Sequence, residues 1–265
     1  MVKLSDRLEK IYALIEPGEC VADIGTDHAL LPAALYARGR SRALILSDAR
    51  AGPLEKARAN LDRLFPGAVF DLRLGDGLAP YARGEADVAV MAGMGGRRIA
   101  DILSADAEKA RSFGRYILQP RNAADSLRMR LAELGFAVTD EMLAAEGAFV
   151  WEILCASPVS GSSGTFARAL LPSAQGAAAP CALRRAEALL TAGGAAAEIS
   201  PLLFRKADPL LAPWLERKLR TADAVLACLL AAGAGKEDLL EKARARAALL
   251  RDLLDALRDL ARTDA

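Results

Sequence analysis

Residues 21 to 32 read VADIGTDHALLP, an apolar run that meets an acid at Asp23, turns at Gly25 and passes into a helical pattern from Ala29. A strand that ends in a glycine turn and leads directly into a helix is the opening of a βαβ unit. Gly25 permits the tight turn and lets a ligand approach the backbone closely.

Further along the chain the pattern repeats. Short β-rich runs occur at CVADIG (20 to 25), ALILSD (43 to 48), FDLRLGD (70 to 76), DVAVMAG (87 to 93), YILQP (116 to 120), FAVTDEML (136 to 143) and FVWEILCA (149 to 156). Between them lie amphipathic stretches such as Pro53 to Leu64 and Ala124 to Leu134, whose leucines recur at three- and four-residue spacing. The expected fold class is α/β, a mostly parallel seven-stranded sheet covered by helices on both faces.

After the last strand comes SPVSGSSGT (157 to 165) and an Ala-, Gly- and Pro-rich region to about residue 200, read as a linker or insertion. Pro209 to Leu230 and Glu237 to Leu260 then form two leucine-striped helices with a Gly233 and Gly235 turn between them, an antiparallel hairpin. The expected division is 1 to 156, 157 to 198 and 199 to 265.

Composition excludes several classes. With 53% apolar residues the chain can bury a sizeable core; the N-terminus is charged from Lys3 onward and no run of 18 or more apolar residues occurs, so neither a signal peptide nor a membrane span is read and the cytosol is expected. Four cysteines, Cys20, Cys155, Cys181 and Cys228, form no C-x-x-C pair, which argues for buried thiols and against a disulfide framework or a metal site. A formal charge of +1 means that any RNA partner must be held by local patches.

In open parallel sheets ligands bind beyond the carboxyl ends of the strands, so the strand ends carry the chemistry. The second strand ends at Asp48, 23 residues beyond Gly25, a separation at which a carboxylate reaches the hydroxyls of a ribose or, equally, caps a helix. The third ends in Gly75-Asp76-Gly77, suited to an adenine amino group, and the fourth in Ala92-Gly93-Met94-Gly95-Gly96, which leaves backbone open to a cofactor or substrate. A pocket ringed by Asp23, Asp27, Asp48 and Asp76 repels a pyrophosphate and favours the sulfonium and ammonium groups of S-adenosylmethionine. The first turn also lacks the second and third glycines of G-x-G-x-x-G, which makes dinucleotide binding the minor reading.

Together VADIGTDHALLP (21 to 32), DARAGPLEKAR (48 to 58), GDGL (75 to 78), AGMGG (92 to 96), LQP (118 to 120) and EMLAAEGAFVWEIL (141 to 154) resemble the bacterial TrmK family, which methylates N1 of adenine 22 in tRNA with S-adenosylmethionine. The resemblance runs from about Leu4 to Cys155, with a weaker echo from Ile199 onward through SPLLFRKADPLL (200 to 211). It implies a class I (Rossmann-like) methyltransferase domain followed by a small coiled-coil-like helical domain. It further implies cofactor contacts at Gly25, Asp27, His28, Asp48, Asp76, Gly77, Ala92, Gly93 and Met94. Asp23 is read both as a cofactor contact and as a brace for its own turn.

Where family members often read LQPN, this chain reads Leu118-Gln119-Pro120-Arg121-Asn122, which moves the candidate catalytic Asn to position 122. Attack by the in-plane N1 lone pair of adenine calls for positioning more than for a strong base, and the base must be unpaired or flipped to be reached. The cationic product ring would be stabilised, or its N6 proton relayed, by Asp27 or His28, with a cofactor-contact or orienting role for His28 read beside that of a base. Candidate RNA phosphate contacts are Arg97, Arg98, Arg121 and Arg128, with Arg130 beside them and Arg205, Lys206, Arg217, Lys218 and Arg220 in the appendage. Two other readings remain open: methyl transfer to a protein or small molecule, and an RNA-binding protein that keeps the fold without turnover.

Overall fold

A computed structural model describes residues 2–159, 181–192, 197–232 and 236–263. The chain forms two compact units, Met1–Pro172 and Ser173–Ala265.

The first unit begins with helix α1 (Asp6–Leu14) and continues β1 (Glu19–Ile24), α2 (Leu30–Ala37), β2 (Ser41–Asp48), α3 (Ala51–Leu64), β3 (Asp71–Leu74), β4 (Val88–Met94), α4 (Gly96–Ala105), α5 (Ala107–Ala110), β5 (Arg115–Pro120), α6 (Ala124–Glu133), β6 (Phe136–Glu146) and β7 (Phe149–Pro158). The strands form one seven-stranded sheet in the order β3-β2-β1-β4-β5-β7-β6. Neighbours from β3 to β5 are parallel, and β7 runs antiparallel to both β5 and β6. This is the expected class I methyltransferase sheet. Strand order reverses between β1 and β4, which opens a crevice at their carboxyl ends.

The core follows from the sequence pattern. Val21, Val88, Val90 and Ile117 lie in central strands and pack with Ile11 of α1, Ile15 just beyond it, and Leu31 and Leu35 of α2, all buried. On the neighbouring part of the sheet Leu46 of β2 packs with Ala57 and Leu61 of α3, the positions that the helical spacing selects. Strand β3 is shorter than the run 70 to 76 because the chain turns at Gly75, whose amide donates to the Asp48 carbonyl at 3.0 Å.

In the second unit the described residues form α7 (Cys181–Ala192), α8 (Pro201–Arg205), α9 (Leu211–Ala231) and α10 (Glu237–Thr263). Helices α9 and α10 pack on each other as the expected hairpin, and α7 packs on α10. Helix α7 lies within the segment 157 to 198 that was read as a linker or insertion: Ala182, Ala186 and Leu190 recur every fourth residue and are buried, a helical period in alanine-rich sequence. Most of the rest of that segment, and the Gly233 and Gly235 turn, lie outside the described residues. Of the appendage's candidate RNA contacts, Arg205 pairs with Glu187 at 2.6 Å, and Lys218 lies 4.4 Å over the Trp214 ring and 3.5 Å from Glu198. Two of its basic groups therefore serve the packing of the unit itself.

Of the four cysteines expected to be buried thiols, Cys20 and Cys155 are buried, whereas Cys181 and Cys228 are exposed on their helices. Among the described residues no helix is long and apolar enough to cross a membrane, and no cluster of three metal-ligating side chains occurs.

Candidate active site

The four strand ends converge. Beyond β1, the amides of Gly25 and Thr26 both donate to the Ser47 carbonyl, at 2.9 and 3.0 Å, so the first turn hangs from the end of β2. Gly25 has φ +79°, so the glycine is required by conformation; a Cβ there would also meet the terminal Cε of Met94 at 2.8 Å, a contact that the flexible side chain could relieve. Asp27 (φ 41°) and Ala29 (φ 52°) are also left-handed, a conformation that costs a residue with a side chain about 1–2 kcal/mol. Such strain concentrates where a turn must present particular groups. The groups presented here are Asp27 and His28, half-exposed and 3.7 Å apart.

Asp23 and Asp48 are buried behind this turn. Burial pushes the Asp23 carboxyl up to about 6, and the nearby charge of Asp48 acts in the same direction. One Asp48 oxygen accepts the Arg50 amide at 3.0 Å, a turn bond rather than a helix cap, since Arg50 is itself the N-cap of α3; a turn role and a ligand-binding role for this residue are compatible. Beyond β3, Asp76 is paired with Arg98 of α4, and a Cβ on Gly77 would lie 2.7 Å from the Ile102 side chain.

Beyond β4 the register with β5 is broken between Ala92 and Met94, which leaves Gly93 (φ +80°) in a bulge. Its amide, lost from the ladder, donates instead to Gln119 Oε1 at 3.1 Å. The ladder resumes where the Arg121 amide donates to the Met94 carbonyl at 2.9 Å.

These turns enclose a cavity of about 660 Å³ whose lining includes Asp23, Gly25, Asp27, His28, Asp48, Asp76, Gly77, Ala92, Gly93 and Met94, all ten residues expected to meet the cofactor. Arg98 and Arg121 also line it, whereas Arg97 lies on the exposed start of α4 outside it. Three expectations need correction. Asn122 is outside the lining: its carbonyl accepts the Gly96 amide at 3.0 Å, and the cavity position is taken by Arg121. Arg128 cannot touch RNA, because it is fully buried between Glu141 and Glu152. The ring is not purely acidic either, since Arg7, Arg50, Arg98 and Arg121 share the wall with the four carboxylates.

The strand-end reading missed lining residues from helices, among them Leu30 and Leu31 of α2, Ile102 of α4 and two residues of α1. Arg7 and Leu8 reach the cavity although they precede the first strand. Their signal was slight: SDRL at positions 5 to 8 resembles any amphipathic helix start.

Residues 4–154 match the family model of a methyltransferase domain. The chain belongs to that methyltransferase family. Among its relatives is the tRNA (adenine(22)-N(1))-methyltransferase of Bacillus subtilis (strain 168), 36% identical over 155 residues. That alignment spans 58% of this chain and 65% of the relative, slightly under two thirds of the relative's length. Among solved structures, the B. subtilis m1A22 tRNA methyltransferase TrmK is similar with a TM-score of 0.75 at 25% identity, over 96% of this chain and 100% of that one. A Streptococcus pneumoniae protein solved in complex with S-adenosyl-L-methionine has a TM-score of 0.73 at 23% identity, over 95% of this chain and 100% of that one, a likeness of fold alone. The curated relative and the TrmK structure carry the activity of the family that the sequence resembles.

Proposed function

We propose that the protein is a cytoplasmic enzyme that transfers a methyl group from S-adenosylmethionine to N1 of adenine 22 in tRNA. The observation that carries this reading is the convergence of four strand-end carboxylates and three glycine turns on one cavity at the switch point of a methyltransferase sheet. The wall fits the cofactor: Asp48 faces it with an oxygen beyond the one on Arg50, Gly25, Gly77 and Gly93 leave the backbone bare, and Asp23 offers a second buried carboxylate. When bound, the cofactor supplies an electrophilic methyl on a sulfonium. Asp48 would accept from ribose hydroxyls, Asp76 from the adenine amino group once released by Arg98, and Asp27 with His28 would lie beside the methylated base and carry its proton or charge. Exposed Arg97 and Arg121 would hold phosphate at the mouth.

The reaction is tested by labelled methyl transfer to unmodified bulk tRNA followed by nucleoside analysis. N1-methyladenosine at position 22 is the expected product; label in protein or small molecules, or cofactor binding without transfer, would replace this reading with another acceptor or a non-catalytic role. Asp48→Ala removes a charged hydrogen-bond acceptor and is expected to weaken cofactor binding ~10–100-fold in calorimetry. Unchanged affinity would remove Asp48 from the cofactor site.

The raised Asp23 carboxyl makes a pH prediction. Its pKa rises from 3.8 to about 6 on folding, so its contribution to stability is present at low pH and is lost as pH climbs through that window. Cofactor binding has the opposite sign, because a sulfonium or ammonium group favours the ionised carboxylate. Affinity is expected to fall ~10-fold between pH 7 and pH 5 as Asp23 protonates, and to lose that dependence in Asp23→Asn. A wild-type affinity that is flat over this range would contradict the assignment.

A further inference from the structure

The Gly93 bulge takes an amide out of the sheet ladder, although Gly93 itself is exposed, and its position is fixed only if another group accepts from that amide. Gln119 meets that need from β5, the neighbouring strand, while itself 1% exposed. Its side chain makes three bonds: Oε1 accepts from Gly93 N–H at 3.1 Å and from Arg7 Nη1 at 2.9 Å, and Nε2 donates to the Pro120 carbonyl at 3.0 Å. Two donors converge on the oxygen and an acceptor faces the nitrogen, so only one orientation of the amide satisfies all three bonds. Arg7 is fixed in turn, its Nε on Glu146 at 2.9 Å. The chain of contacts runs from α1 through β5 to the turn after β4, linking residues 112 positions apart.

We propose that Arg7 and Gln119 form a positioning pair that holds the Gly93 turn in place, and that this turn sets the geometry of the methyl acceptor. The proposal rests on the methyltransferase reading above, and it adds two residues that the strand-end motifs do not contain as site residues. Neither is a catalytic residue, since neither gains nor loses a bond in the transfer. Arg7 shares the cavity wall, and its charge draws density toward the Gln119 oxygen, which strengthens the bond to the Gly93 amide. Misplacement of about 1 Å at a reacting centre can cost on the order of 100-fold in rate. The effect should therefore fall on turnover, because most cofactor contacts come from the other three turns.

Three variants in the full chain test this: Arg7→Met, Gln119→Met and the double variant, with Arg7→Lys as the conservative control. Each single change is expected to lower kcat 10- to 100-fold on tRNA while the Kd for S-adenosylhomocysteine moves less than about threefold, and Arg7→Lys should recover part of the loss. The double variant should be no slower than the slower single one, since both break the same chain. Multiplying losses, or cofactor affinity falling in step with kcat, would overturn the proposal. Hydrogen exchange at the Gly93 amide gives a readout independent of activity: slow in the wild type, and at least tenfold faster in Gln119→Met. If the wild type fails to methylate tRNA at all, the functional reading falls; the positioning pair is then judged by this exchange, and an unprotected amide in the wild type overturns it.

Discussion

Arg128→Met is expected to remove about 3–5 kcal/mol of folding stability, read as a lower urea midpoint with an unchanged slope. Arg128 projects from α6 with no exposed surface and spans two strands, donating to both oxygens of Glu141 at 3.0 and 2.7 Å and to Glu152 at 2.6 Å. Burial opposes its charge, but the two carboxylates outweigh that and raise its pKa further. Removing the guanidinium would take the charged partner away from Glu141, which is 1% exposed, and from the partly buried Glu152. The comparison that separates the cost of stranded charge from lost packing is the triple change Arg128→Met, Glu141→Leu and Glu152→Leu, expected to regain most of the loss. A single variant that kept its midpoint but bound tRNA weakly would return Arg128 to the RNA-binding role expected from sequence.

The second large effect belongs to Gly96. A Cβ there would lie 2.5 Å from the Ala123 carbonyl oxygen and 2.6 Å from that of Asn122, both backbone atoms that cannot swing aside. Gly96→Ala must therefore part α4 from the loop that follows β5, a strain of about 1–3 kcal/mol or more. The same shift would lengthen the 3.0 Å bond from the Gly96 amide to Asn122 and carry Arg121 and the Gly93 turn out of register. Methyl transfer is expected to fall at least ~100-fold. Gly52→Ala is the control: nothing lies within 4 Å of its Cβ position, and in the first turn of α3 it should be neutral or slightly stabilising. Activity retained in Gly96→Ala would mean that the two segments separate without consequence for the site.

The strand ends were legible because each is a local pattern in which an apolar run stops at an acid or a glycine. Asp23, Asp48, Asp76 and the Gly93 turn needed only the rule that parallel strands present their carboxyl ends together. Arg7 and Gln119 were not legible as a pair, since nothing local connects a helix start with a polar residue in YILQP; only the folded sheet brings them within 2.9 Å. The burial of Arg128 is legible in its spacing, since it lies four residues after Ala124 and three before Leu131, on the buried stripe of its own helix, but its charge argues for the surface. Helix α7 is hard to read from sequence because its period of four falls on alanines within an Ala-, Gly- and Pro-rich region whose composition suits a linker or insertion.

Strand β6 has consequences beyond the site. With 11 residues it is the longest strand of the sheet, and it stands at the margin, where unpaired backbone invites another chain to add on. Helix α1 packs against it, Lys10 takes the Leu143 carbonyl, and the register breaks between Val138 and Asp140. The helix that brings Arg7 to the cavity thus also guards against edge-to-edge aggregation, so selection for solubility and selection for a well-placed acceptor act on the same nine residues.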